Sequence, residues 1–128
     1  MEYSSVLIDT SIIIDYLRKQ NKEKTLFWKI INRSSCYISA VTVFELYSGA
    51  KEKKHIEALD VVLSHLEVIV FNTEQAKMAS SIFRSLKSKN KLIEFRDIFI
   101  ASSAIVSNMP LATLNTKHFK RIDGLILL

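Results

Sequence analysis

Three acidic residues, far apart in the chain, are each set into apolar sequence. Asp9 directly follows an apolar run at 6–8, Glu45 lies within a largely apolar segment at 39–46, and Asp97 precedes Ile-Phe-Ile-Ala. Carboxylates in such surroundings destabilise a fold, since two of them about 5 Å apart repel by roughly 3 kcal/mol at an effective dielectric near 20. A hard divalent cation that prefers oxygen ligands removes this penalty. The pattern therefore favours Asp9, Glu45 and Asp97 as ligands of a metal ion.

The chemistry expected of such a site is metal-assisted hydrolysis. Mg²⁺, or Mn²⁺ with similar ligands, polarises a phosphoryl oxygen and generates hydroxide from bound water. Cleavage of a phosphodiester bond needs both actions and requires no covalent nucleophile. In this hypothesis Asn115, in the polar turn at 113–116, joins the three acids as a catalytic residue that supports the substrate or a water ligand.

The elements that must position these residues follow from the apolar pattern. Short, solid apolar runs alternate with helical periods, which is typical of a parallel sheet covered by helices on both faces. Strands are predicted at 3–8, 36–38, 68–71, 111–113 and 126–128, and helices at 11–19, 22–32, 39–50, 56–66, 73–88 and 96–107. The expected fold is a three-layer α/β/α sandwich, a single domain over 1–128. Because open sheets of this class bind ligands beyond the carboxyl ends of their strands, one edge can collect all four residues.

Composition limits the protein class and its partners. The chain has 128 residues, 48% of them hydrophobic, and its apolar runs are too short to cross a membrane. Asp9 interrupts the first apolar run, which argues against a signal peptide, and the lone Cys36 fits a reducing cytosol, so a cytoplasmic location is expected. The net charge of +5 favours a polyanion such as RNA as partner.

Four segments together resemble one known family. They are Val-Leu-Ile-Asp-Thr-Ser at 6–11, Ser-Ala-Val-Thr-Val-Phe-Glu-Leu at 39–46, Asp-Ile-Phe-Ile-Ala at 97–101 and Leu-Ala-Thr-Leu-Asn-Thr-Lys-His-Phe at 111–119. In this order they resemble the PIN-domain family over essentially the whole chain, and more narrowly the VapC-type toxins of toxin–antitoxin pairs. The resemblance implies a parallel α/β/α sandwich, RNA cleavage dependent on Mg²⁺ or Mn²⁺, a homodimer, and neutralisation by a cognate VapB-type antitoxin.

Carried over by position, Asp9, Glu45 and Asp97 match the acidic metal ligands of that family. The fourth position departs from the pattern, because many relatives have Asp where this chain has Asn115 and some have an acid at the place of His118. An amide can still ligate through its oxygen or a water, but its neutral charge weakens a second metal site. This departure puts a strict two-metal mechanism in doubt.

Five further residues are weaker candidates for contacts with substrate or ligands. Ser11 and Thr113 can orient carboxylates through hydrogen bonds, or can simply serve as cap and turn residues. Arg96 can bind phosphate or screen the acids. Asp15, which has family-like placement, can support the metal ligands or can simply be exposed to solvent. His118 can contact the scissile phosphate, although a surface histidine without a role is the more common case.

Two hypotheses of different class remain open from the sequence. The first is a metal-dependent endoribonuclease acting as a toxin, whose basic helix ends hold the RNA backbone in a salt-dependent manner. The alternative is a catalytically weakened PIN-like module that binds RNA or protein, which the missing fourth acid supports. Loss of metal-dependent cleavage in Asp97→Asn distinguishes them. A phosphoacceptor receiver domain is disfavoured because Asp9 lacks an acidic neighbour, and a P-loop hydrolase because no Gly-rich phosphate loop is present.

Overall fold

Strands and helices alternate along the chain, as a computed structural model of residues 3–128 shows. The elements are β1 (Ser5–Ile8), α1 (Thr10–Arg18), a 3-10 turn (Lys22–Lys24), α2 (Leu26–Ile31), β2 (Ser35–Ser39), α3 (Ala40–Gly49), α4 (Lys53–Leu63), β3 (Glu67–Ile69), α5 (Thr73–Ser88), α6 (Phe95–Val106), β4 (Leu111–Ala112) and α7 (Thr116–Phe119). Each helix among residues 3–128 is too short or too polar to cross a membrane.

The strands form one parallel sheet in the order β3-β2-β1-β4. The central strand β1 pairs with β2 on one side and with β4 on the other, so that Leu7 is in register with both Tyr37 and Leu111. All three residues of the run 6–8 are fully buried. Because every strand runs the same way, the carboxyl ends of all four lie at one edge of the sheet.

Two hydrophobic cores, one on each face of the sheet, make the fold a three-layer sandwich. Val6 and Ile8 of β1 point into the core formed with α1 to α4, while Leu7 points into the core formed with α5, α6 and α7. Buried Cys36 belongs to the first core, and burial raises the pKa of its thiol to about 11. The predicted α/β/α sandwich with a central parallel sheet is thus confirmed.

Two predicted elements differ from the structure in kind, and the helix predicted over 56–66 lies three residues earlier, as α4. The helix predicted over 22–32 is divided at Thr25, whose hydroxyl caps α2 by accepting a hydrogen bond from the Trp28 backbone N–H at 3.3 Å. A threonine hydroxyl competes with helical hydrogen bonding in this way, and periodicity does not reveal it. The strand predicted over 126–128 is reduced to a single bridge between Leu111 and Leu127.

Candidate active site

A pocket of about 370 Å³ opens at the carboxyl edge of the sheet and collects the four predicted catalytic residues. Asp9 follows β1, Glu45 lies on α3, Asp97 is in the first turn of α6, and Asn115 immediately precedes α7. The lining residues are Asp9, Thr10, Ser11, Ile14, Glu45, Glu94, Arg96, Asp97, Asn115 and His118. Thr113 lies behind this lining, in contact with Asp9.

The Asp9 carboxylate is held by two hydroxyl groups. Its side chain is nearly buried, at 4% exposure, and Oδ2 accepts hydrogen bonds from Ser11 Oγ at 2.8 Å and Thr113 Oγ1 at 2.6 Å. Asp9 occupies the N-cap position of α1, yet its side chain does not cap the helix. Since both hydroxyls use Oδ2, neither engages Oδ1. The carboxylate is therefore oriented by two side-chain hydroxyls, one on α1 and one that follows β4, and not by the backbone N–H groups of α1.

Glu45 reaches the pocket from α3, which begins where the Ser39 hydroxyl accepts a hydrogen bond from the Val41 backbone N–H. Thr10 Oγ1 donates to Glu45 Oε1 at 2.8 Å, and Arg96 Nε lies 3.2 Å from Glu45 Oε2. Burial raises the pKa of Glu45. The Thr10 hydrogen bond and the Arg96 charge oppose that rise, whereas the nearby charges of two other acids add to it.

Asp97 lies next to His118 in the pocket. The Asp97 side chain is 13% exposed, and its Oδ2 is 3.5 Å from His118 Nδ1. Burial and the charge of Asp9 raise the pKa of Asp97, while contacts with His118 and Arg96 oppose the rise. The same His118 nitrogen is 2.9 Å from Asn115 Nδ2. The two residues at which this chain departs from the family's fourth acid therefore contact each other.

The remaining sequence candidates divide between the pocket and its surroundings. Arg96 lies in the pocket wall, but Asp15 does not; its carboxylate is 3.7 Å from Lys19 Nζ, one turn along α1. Two contributors were not predicted as site residues: Thr10, which binds Glu45, and Glu94, which binds Arg96 Nη2 at 2.8 Å. The signal for both was proximity in sequence, because each lies within three residues of a predicted acid.

The donor chemistry of the pocket suits a hard divalent cation. Carboxylates, an amide and hydroxyls converge there, and the raised pKa values of Glu45 and Asp97 reflect negative charge in poorly solvated positions. Within residues 3–128, no three His, Cys, Asp or Glu side chains are already arranged as a ligand set for a metal ion. Mg²⁺ does not require one, since it is typically held by one or two carboxylates together with water and substrate phosphate.

Fold and pocket together define a class: α/β proteins with an acidic site beyond the carboxyl ends of a parallel sheet. Comparison with known proteins identifies the family within this class. The family model described as PIN domain matches residues 6–125. Ribonuclease VapC1 of Methanocaldococcus jannaschii is 35% identical over 121 residues, which cover 94% of this chain and 83% of the relative. Ribonuclease VapC of Rickettsia bellii is 33% identical over 127 residues, covering 94% and 92%.

Solved structures agree with the sequence comparison. A chain in the crystal structure of VapBC2 from Rickettsia felis, bound to a DNA fragment from their promoter, superposes with a TM-score of 0.86 at 28% identity over 97% of each chain. A chain in the structure of FitAcB from Neisseria gonorrhoeae gives a TM-score of 0.79 at 26% identity over 96% of each chain. The protein described here belongs to the PIN-domain family.

Proposed function

We propose that this protein is a metal-dependent endoribonuclease that hydrolyses RNA phosphodiester bonds in the cytoplasm as the toxin of a toxin–antitoxin pair. The observation that carries the proposal is the convergence of Asp9, Glu45 and Asp97, from three separate elements, in one pocket of a PIN-domain fold. The curated relatives that bear the name ribonuclease VapC support the reaction and the substrate class.

In the proposed mechanism Asp9 and Asp97 would hold Mg²⁺ or Mn²⁺, with Glu45 completing the set directly or through a water. The cation would polarise a phosphoryl oxygen and lower the pKa of bound water. Ser11 and Thr113 keep Asp9 oriented for this role. Glu45, held by Thr10 and with a raised pKa, would orient the attacking water and accept its proton. Asn115 would support the substrate or a water ligand.

A VapB-type antitoxin is the proposed partner, and a groove beside the active site is its proposed docking place. A cavity of about 390 Å³ lies between α1, α3 and α4 and shares Ile14 and Glu45 with the acidic pocket. Its wall includes Leu17, Leu46 and Leu59. An amphipathic segment would bury its apolar face there, and a basic side chain on it would reach Glu45. The similarity of this chain to one in the VapBC2 structure from Rickettsia felis supports a partner of the VapB type.

We also propose that the protein forms a homodimer. Large apolar side chains such as Phe44, Val70 and Phe95 are more than half exposed, and pairing of two copies would remove such surface from water. Light scattering during size-exclusion chromatography measures this directly. A molar mass near that of the 14.7 kDa monomer at all concentrations would contradict the dimer.

The second candidate function is a catalytically weakened module that binds RNA or protein. The observation that favours it is Asn115, which is neutral and engaged with His118 at the position where many relatives carry an acid. Against it stand the Asp9, Glu45 and Asp97 carboxylates, whose mutual repulsion an inactive site has no reason to retain.

Mapping RNA ends tests both candidates. Purified protein is incubated with total RNA, with and without Mg²⁺ or Mn²⁺, beside Asp97→Asn and the matched control Asp123→Asn. Asp123 is an exposed acid paired with Lys89, away from the pocket. Discrete metal-dependent cuts by the wild type and the control, but not by Asp97→Asn, support the nuclease. Cleavage that persists in Asp97→Asn contradicts the site assignment, and RNA binding without cuts favours the binding module.

A further inference from the structure

Arg96 holds an unusual place in an otherwise acidic pocket. Of the lining residues in the described range 3–128, it is the sole arginine or lysine. The four acids that line the same pocket are Asp9, Glu45, Glu94 and Asp97. A phosphate that enters this pocket meets repulsion from the carboxylates, and the guanidinium is the fixed positive charge that opposes it.

Two carboxylates fix the orientation of that guanidinium. Arg96 Nε lies 3.2 Å from Glu45 Oε2, and Nη2 lies 2.8 Å from Glu94 Oε2. A guanidinium carries five N–H donors in a planar fork, so these two contacts leave three for another acceptor. The Arg96 side chain is 55% exposed, which leaves it accessible to solvent at the pocket entrance.

We propose that Arg96 is a substrate-positioning residue whose guanidinium binds the non-bridging oxygens of an RNA phosphate at the entrance of the acidic pocket. The inference rests on the proposed function for the identity of the substrate as RNA. Contacts with Glu45 and Glu94 already hold the guanidinium of Arg96 in place, so that little side-chain freedom is lost when phosphate binds. The guanidinium also opposes the raised pKa of both Glu45 and Asp97, which places it near both acids.

A competing interpretation is that Arg96 merely neutralises Glu45. The two interpretations differ in what RNA binding requires. A phosphate-binding arginine contributes one released counterion, so its removal lowers the salt dependence of binding, whereas an arginine that only screens an acid does not contact the polyanion. Arg33 offers a matched control, since it is an exposed arginine ahead of β2, at the opposite edge of the sheet, beside Tyr3 and Leu128.

The test measures fluorescence anisotropy of a short fluorescein-labelled single-stranded RNA in EDTA, where cleavage does not interfere, over a series of NaCl concentrations. Wild type, Arg96→Gln, Arg96→Lys and Arg33→Gln are compared after circular dichroism confirms folding. We expect Arg96→Gln to bind about three- to tenfold more weakly and to lower the slope of log K against log salt by about 0.7. Arg96→Lys should fall between it and wild type, because lysine keeps the charge but loses the fork.

Each outcome decides the inference. A loss confined to the Arg96 variants supports it. Equal effects of Arg96→Gln and Arg33→Gln show a general charge effect and overturn it, as does unchanged affinity in Arg96→Gln. If the wild type itself fails to bind RNA at low salt, the proposed function fails and the inference fails with it. If the wild type binds and Arg96→Gln matches it, the inference alone fails.

Discussion

The three predicted acidic metal ligands are held by different sets of partners. Two hydroxyls orient Asp9, a hydroxyl and a guanidinium hold Glu45, and a histidine faces Asp97. Burial raises the pKa of the last two acids despite these contacts. Repulsion between these acids therefore destabilises the metal-free protein, and substitution of a single acid should change its stability.

Removing the charge of Asp97 should stabilise the metal-free protein at neutral pH. Because the folded-state pKa of Asp97 is raised, the favourable contribution of this group is present below the unfolded pKa and is lost as pH rises through the folded pKa. Asp97→Asn should thus melt above wild type at pH 7, and the difference should vanish as pH falls through the carboxyl range. Thermal unfolding in EDTA across a pH series measures this, with Asp123→Asn as control. A pH-independent difference would contradict the explanation.

A carboxylate at position 115 should strengthen metal binding. Asn115→Asp adds a charged oxygen ligand beside Asp97, and cation affinity rises with the number of charged ligands. We expect Mn²⁺ to bind on the order of tenfold more tightly, as measured by electron paramagnetic resonance of free Mn²⁺ during titration. Asn115→Ala serves as the control for loss of the amide contact with His118. Unchanged affinity in the aspartate variant would show that position 115 does not face the cation.

Packing of helix α6 against the core positions Asp97 in the site. Its middle residues 101–104 (Ala-Ser-Ser-Ala) are fully buried, and Ser103 Oγ donates to Gln75 Oε1 of α5 at 2.8 Å. Small side chains here let the two helices approach closely, because larger ones would separate their backbones. The packing carries the first turn of α6, and with it Asp97, to the edge of the sheet.

Enlarging a small residue of α6 should therefore destabilise the fold. Ala104→Leu overfills a site with no exposure, and we expect a loss of about 1–3 kcal/mol in the free energy of unfolding. Ala76→Leu on the exposed face of α5 is the matched control and should change stability little. Urea denaturation measures both. Equal effects of the two substitutions would show that α6 is not tightly packed at this position.

The sequence predicted most elements, and the exceptions have local causes. The run 6–8 is apolar throughout, so its burial as a central strand followed from composition. The division of the helix at Thr25 depends on one hydroxyl that caps α2, and the end of the chain near Leu127 forms one bridge in place of a strand. Within α5, Ala79 is buried but Ala76 is exposed, because Ala76 lies at the solvent edge of the apolar helical face.

At the level of the whole molecule, the acids of the site were predictable and their partners less so. Asp9 stands out because it ends an apolar run, and Asp97 because it precedes one. Thr10 and Glu94 carry no such signal, because threonine and glutamate are common in helix caps and at surfaces. The contact of Thr10 with Glu45 joins residues 35 positions apart at 2.8 Å and depends on strand order, which sequence alone did not fix.

Metal should stabilise the whole fold, because the proposed ligands come from separate elements. A ligand that binds only the folded state at about 100 times its dissociation constant adds roughly 2.7 kcal/mol. We expect Mg²⁺ or Mn²⁺ to raise the melting temperature of the wild type and EDTA to reverse the change. Asp9→Asn should lose most of the response, while Asp123→Asn keeps it. Equal shifts in all three proteins would indicate nonspecific cation effects.

The pairing of β1 with β4 joins the beginning of the chain to its end, with Leu7 opposite Leu111. Contacts of such long range slow folding, because the entropy of closing the intervening loop opposes them. During synthesis on the ribosome, Asp9 and Glu45 emerge well before Asp97 and the Thr113 hydroxyl that orients Asp9. An unfinished chain therefore has no assembled pocket. The pocket can assemble only after β4 and Thr113 have left the exit tunnel, because Thr113 supplies one of the two hydroxyls that hold Asp9.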